Sequence, residues 1–155
     1  MIRTLLDTDL GAASALCMRS FMQAVAPSLS AAGVATFTTV ASVEGFVQRG
    51  MQDNLQLVFA DTDGLKGVAE LKQGRHVALL FVDPHCQHQG IGEALLAALI
   101  EQVRTPVLSV SASLPSVRFY ERYGFKCSGE VDESAGLVYQ PMEKAMPTAS
   151  VPPAG

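Results

Sequence analysis

Gly90 and Gly92, in the run Gln87-His88-Gln89-Gly90-Ile91-Gly92, carry the most definite chemical consequence in this chain. They fall where an apolar run, residues 76–82, has closed through Asp83-Pro84 and a helix-patterned segment begins. The first turn of a helix leaves its N–H groups without intrahelical partners, and the macrodipole adds partial positive charge there. Glycines at that point remove the side chains that would keep an anion away from the backbone. A strand feeding such a turn suits the binding of a pyrophosphate-bearing ligand. Three further side chains could move protons: Tyr120, His76 and Glu70.

The glycine pattern excludes two nucleotide sites. A dinucleotide fingerprint wants a third glycine where Leu95 stands and an acidic residue ending the next strand, where the chain has Ser111. A phosphate loop of the Gly-Lys-Ser/Thr type does not occur.

The chain of 155 residues suits one domain, expected over 1–146, with 147–155 (Pro-Thr-Ala-Ser-Val-Pro-Pro-Ala-Gly) as a flexible tail. A net charge of −4 and the lack of a Lys/Arg cluster argue against a nucleic-acid partner. Cys17, Cys86 and Cys127 are an odd, widely spaced set with no Cys-x-x-Cys pair, so neither a disulfide framework nor a zinc site is expected, and no metal. Cys86 reads as a small loop residue in preference to a reactive thiol. Arg3, Asp7 and Asp9 interrupt any signal-peptide core, and the apolar runs 77–82 and 94–100 are too short to span a bilayer. A cytoplasmic protein without membrane contact is expected.

The elements that must position these residues follow from pattern. A strand is expected at 2–6, then a helix to residue 24 started by Thr8 or Asp9, with Leu10, Ala13, Cys17 and Phe21 near helical spacing. Residues 27–41 are ambiguous. A helix over 40–49 should turn Val43, Phe46 and Val47 inward and stop at Gly50. Strands at 55–60 and 65–71 flank the turn Asp61-Thr62-Asp63-Gly64. The strand 76–82 is apolar enough to be central. The helix 90–103 should bury Ile91, Leu95, Leu96, Leu99, Ile100 and Val103. A strand at 106–111, a short helix at 115–123 capped by Gly124, and strands at 125–130 and 137–143 complete a mixed α/β chain.

The run 87–92 resembles the Gln/Arg-x-x-Gly-x-Gly/Ala signature of the GNAT superfamily, the acyl-CoA-dependent N-acyltransferases. Four features support the resemblance in order: the strand ending Val82-Asp83-Pro84, the leucine-rich helix, Phe119-Tyr120-Glu121-Arg122-Tyr123-Gly124-Phe125 as the second motif, and Gly136-Leu137-Val138-Tyr139-Gln140-Pro141-Met142 as a closing strand. It covers roughly residues 2–146 and is dense between 76 and 125.

The resemblance implies an α/β (α+β) GNAT-like fold, a V-splayed mixed sheet of about seven strands flanked by about four helices. It implies acetyl-CoA as acyl donor. The pantetheine arm would pair with the strand backbone at Leu80, Phe81 and Val82, and the pyrophosphate would rest on Gln87, His88, Gln89, Gly90, Ile91 and Gly92. Ser113 and Ser116 would complete the cofactor site. Many family members carry asparagine where this chain has Ser113; serine can cap the short helix equally well but reaches less far.

The implied reaction is transfer of the acetyl group to a primary amine of a small-molecule or peptide acceptor, by direct attack in a ternary complex. A lysine-like amine is neutral in only about one part in 2,500 at pH 7, so its deprotonation costs about 4.6 kcal/mol. A base, or a pocket that lowers the amine's pKa, must offset that. The departing thiolate wants a proton, and by resemblance Tyr120 is the general acid, with aromatic packing as its competing role. His76 is the candidate base, Glu70 the alternative carboxylate, and a water relay a third route. His85 and His88 suit phosphate positioning. Two other classes stay open: an acyl-CoA-binding sensor or partner-binding domain with weak turnover, and an acyltransferase acting on charged tRNA, which the acidic balance disfavours. A homodimer is compatible with the sequence. The small apolar residues of the first two helices and the last strand pair hint at an uncharged or weakly polar acceptor.

Overall fold

The computed structural model describes residues 1–147, so most of the expected tail lies outside the described residues. Eight strands run in chain order: β1 (Ile2–Thr4), β2 (Asn54–Asp61), β3 (Gly64–Lys72), β4 (His76–Val82), β5 (Val107–Ala112), β6 (Lys126–Cys127), β7 (Asp132–Ser134) and β8 (Leu137–Ala145). Five α-helices accompany them: α1 (Leu10–Ala24), α2 (Ala31–Val40), α3 (Val43–Gly50), α4 (Ile91–Ile100) and α5 (Val117–Arg122). The sheet order is β1-β2-β3-β4-β5-β8-β6, with β7 paired to β8. Apart from β4 and β5, which are parallel, all paired neighbours are antiparallel.

The parallel contact is short. Strands β4 and β5 pair only through His76 with Ser109 and Val77 with Val110. Beyond these pairs the strands part, and the side of β4 facing β5 has no ladder partner. Just past the last pair, Glu70 and Leu71 of β3 face Leu79 and Val77 of β4, which leaves Ala78 as an extra residue. This bulge reverses the alternation of side chains. Val77 therefore joins the core beneath α4, while Leu79 joins the core beneath α1 to α3.

Each face of the sheet is covered. Leu95, Leu96 and Leu99 of α4 are buried at helical spacing on one side, as their pattern predicts. Ile100 and Val103 of the same stripe are only part-buried. On the other face Leu16, Cys17 and Phe21 of α1 meet Phe37 of α2 and Phe46 of α3. Phe21 and Phe37 stack with ring centroids 4.1 Å apart.

Several expectations are corrected. The ambiguous segment 27–41 contains α2, whose start is capped by the Ser30 hydroxyl accepting from the Gly33 N–H. Ser42 caps α3 in the same way through the Gly45 N–H. Helix α3 ends at Gly50, its last residue, but Val43 and Val47 are exposed while only Phe46 is buried. Asp9 gives α1 no side-chain cap; its carboxylate accepts from the Leu6 N–H and pairs with Arg3. Strand β7 was not anticipated, because three exposed polar residues carry no apolar alternation.

Glu70, the expected alternative base, is a buried anchor. It has no solvent exposure. One carboxylate oxygen accepts from Arg49 Nε at 2.7 Å and the other from Gln56 Nε2 at 2.8 Å. Arg49 also donates to the Val40 carbonyl and lies over the Phe46 ring. The network ties α3, the end of α2 and β2 to β3. Removing one partner of a buried pair leaves an uncompensated charge, typically worth about 3–5 kcal/mol. Arg49→Ala should lower unfolding stability by about that amount in a urea titration.

Candidate active site

The glycine turn is built by the end of β4 and the start of α4. Asp83 organises it: its carboxylate accepts from the His85 N–H at 3.0 Å and from Arg19 of α1 at 2.9 Å. Burial works against the charge, yet the His85 N–H and Arg19 hold the Asp83 carboxyl below its ordinary range, so it stays ionised at neutral pH. Gly90 precedes α4 with φ of +78°, a left-handed conformation costly for other residues. A Cβ at Gly90 would meet no protein atom within 4 Å, so the space above this helix start is open. His88 also has positive φ, at 66°.

A cavity of about 710 Å³ lies over this turn and runs along the unpaired side of β4. Leu80, Phe81, Val82, Gln87, His88, Gly90, Ile91, Gly92, Ser113, Ser116 and Tyr120 all line it. Gln89 is the expected contact that does not. Arg118 and Arg122 of α5 also line the cavity and were missed; their spacing of four on a short helix beside the second motif was the available signal. Ser113 does not cap the helix after it. Its hydroxyl donates to Ser116 Oγ at 2.9 Å, and that hydroxyl donates back to the Ser113 carbonyl.

A second cavity, of about 470 Å³, opens on the other side of the splay. It shares Leu80, Phe81, Ser113, Ser116 and Tyr120 with the first. Its outer wall comes from α2 and the β7–β8 turn, clasped where Thr36 Oγ1 donates to the Ala135 carbonyl at 2.6 Å. Gly33 and Gly136 permit this approach, since a Cβ on either would collide with the backbone of the other.

Tyr120 stands at the junction. Its ring packs edge-on against Phe119 and Phe125, each at 5.2 Å between centroids, so packing and access coexist in one residue. Burial pushes its phenol above the ordinary range, leaving it protonated at neutral pH. His76 is not brought here. It sits at the closed end of the splay, lines neither cavity, and its Nδ1 lies 2.7 Å from Ser109 Oγ. Burial, Lys72 and Arg75 hold its pKa below the usual histidine value, so the ring is neutral at pH 7. The geometry offers it no path to an acceptor. Glu70, buried on β3 opposite Leu79, lines neither cavity.

With this geometry established, comparison with known proteins is specific. The family described as an acetyltransferase (GNAT) domain matches residues 25–146. The fold matches that of a GCN5-related N-acetyltransferase from Rhodopseudomonas palustris with TM-score 0.83, at 22% identity over 94% of each chain. It also matches the PaiA N-acetyltransferase from Thermoplasma acidophilum, solved in complex with coenzyme A, with TM-score 0.76, at 22% identity over 94% of this chain and 98% of that one. A curated relative, the uncharacterized N-acetyltransferase YafP of Escherichia coli (strain K12), is 41% identical over 51 residues. That match spans 33% of this chain and 33% of the relative's own length. The fold is the one these acetyltransferase structures share. The chain belongs to the GNAT acetyltransferase family.

The turn's chemistry fits coenzyme A on the structure's own terms: open helix N–H groups for a pyrophosphate and an unpaired strand side for an amide-bearing arm. Gly92→Asp tests this with opposite signs. An acidic residue in the first turn of α4 suits the helix dipole and meets only Phe119 and Val82 at ordinary contact distance. The variant should therefore fold at least as stably as the wild type. Acetyl-CoA at a hundred times its wild-type Kd, which adds about 2.7 kcal/mol to the wild type, should no longer stabilise the variant in a thermal-shift assay.

Proposed function

We propose that this protein transfers the acetyl group of acetyl-CoA to a primary amine by direct attack within a ternary complex. The observation that carries the reading is the pair of cavities meeting at Tyr120, one over the glycine turn and one beneath the α2 clasp. The first suits the donor and the second the acceptor. In the reaction the amine nitrogen attacks the thioester carbonyl carbon, forming a C–N bond. The tetrahedral adduct then collapses, the C–S bond breaks, and sulfur leaves as thiolate. One proton leaves nitrogen for solvent and one reaches sulfur.

Tyr120 is proposed to supply the proton to sulfur. A phenol raised above its usual pKa is a weak acid toward an aqueous thiolate. The thiolate would form beside the same buried phenol, however, where desolvation raises its own proton affinity in parallel. Tyr120 lines both cavities, and a sensor without turnover would have no need of an acceptor-sized cavity beside the donor site. Tyr120→Phe keeps the ring and its packing against Phe119 and Phe125 and removes only the donor. It should reduce kcat by about 10²–10⁴-fold with acetyl-CoA affinity nearly unchanged, measured by thiol release and by titration.

His76 is proposed to hold β4 to β5 through Ser109, with no part in proton transfer. With an alkylamine acceptor, His76→Gln should then leave the pH–rate profile in place, its rising limb following the amine and not an imidazole. Loss of that limb in the variant would restore His76 as the base.

A further inference from the structure

The acceptor cavity discriminates among amines by the chemistry of its wall. Every described residue on that wall is apolar or bears a neutral hydroxyl. Phe37, Leu137 and Val138 form its apolar body, and Thr36, Ser134 and Tyr139 supply hydroxyls toward its rim. Phe37 is itself held in an aromatic stack, 4.1 Å from Phe21 and 5.2 Å from Phe81 between centroids. The clasp between Thr36 and Ala135 joins α2 to the β7–β8 turn at the cavity's outer wall. A volume of about 470 Å³ falls within the range of small-molecule sites, about 300–1,000 Å³.

An alkylammonium entering this cavity would lose its hydration with no carboxylate on the described wall to replace it. Neither Glu70 nor His76 reaches the cavity to take its proton. An amine whose lone pair is delocalised into an aromatic ring meets neither difficulty. It is unprotonated at neutral pH, and its flat apolar body matches the wall around Phe37.

Resting on the acetyl-transfer reading above, we propose that the acceptor is a small arylamine. Its neutral nitrogen attacks the thioester carbon, so no base is needed before attack. The proton is lost to water after the C–N bond has formed, while sulfur leaves and takes the Tyr120 proton. The phenolate is then reprotonated from solvent. Atoms and charge balance as arylamine plus acetyl-CoA giving N-acetylarylamine plus free CoA.

The test uses the purified full chain with acetyl-CoA and follows thiol release. The acceptors are 4-methylaniline, 2-phenylethylamine as an alkylamine of similar size, spermidine, and an alanine-initiated tetrapeptide. At pH 7 an alkylamine is neutral in about one part in 2,500, so 4-methylaniline should exceed 2-phenylethylamine in kcat/KM by about 10²-fold after allowing for its weaker nucleophilicity. Its rate should stay flat between about pH 6.5 and 8.5, whereas the alkylamine rate climbs about tenfold per unit. Ser134→Asp places a carboxylate on the rim at an exposed position of β7. That variant should bind 2-phenylethylamine as an inhibitor about fivefold more tightly than the wild type. Faster turnover of spermidine, 2-phenylethylamine or the peptide overturns the proposal. So does acetyl-CoA that raises the melting temperature while 4-methylaniline releases no thiol. A melting temperature unmoved by acetyl-CoA would instead remove the donor reading, and this inference with it.

Discussion

Two parallel strands that pair for two residues and then separate set the terms for everything else in this molecule. Backbone N–H and C=O groups are seldom left unpaired away from water, because each costs free energy comparable to a lost hydrogen bond. On β4 the side beyond Val77 has no strand partner, and this is where both cavities meet. An unpaired strand side inside a splay is a template for a ligand that can act as a strand. The Ala78 bulge sits at the branch point and reverses the faces of the residues beyond it. The splay, the bulge and the glycine turn are thus one device, with the turn placed where the free side ends.

Holding a splay open takes rigidity elsewhere. The α4 face is a continuous leucine-rich core against the first half of the sheet. On the other face Glu70, Arg49 and Gln56 fasten α3 to the sheet through charge-assisted hydrogen bonds in a site that excludes water. The fastening is costly in desolvation and demanding in geometry, and it borders the smaller cavity through Val40 and Leu79 without lining it. The outer wall of the smaller cavity is held by lighter means. Two glycines in backbone contact and one hydroxyl-to-carbonyl bond hold α2 against the β7–β8 turn. A wall closed this way can change with the sequence of a few residues while the donor side stays the same.

The two cavities differ in how far the sequence foretells them. The glycine-turn side is local: a strand, a turn with Gly90 at positive φ and a helix are contiguous in the chain, and their spacing foretells the open helix start directly. Leu95, Leu96 and Leu99 were recognisable as core because helical periodicity is a local property. The smaller cavity is assembled from α1, α2, β4, β5, β7 and β8, which lie far apart in sequence. Its key contact joins Thr36 to Ala135 across the chain, and no pattern near either residue announces it.

The same distinction separates Tyr120 from His76 and Glu70. The sequence alone determined the family resemblance, the run of elements from β2 to α5, the glycine turn and the candidate acid, because each depends on neighbours within one motif or on local periodicity. Tertiary structure decided the rest. Whether a strand residue faces a cavity depends on register, and the Ala78 bulge, invisible in an apolar run, changed it. Whether a carboxylate is a base or an anchor depends on what packs above it, and Arg49 arrives from a helix twenty-one residues away. Local periodicity reports which residues are apolar; only the packed sheet reports which groups share a cavity.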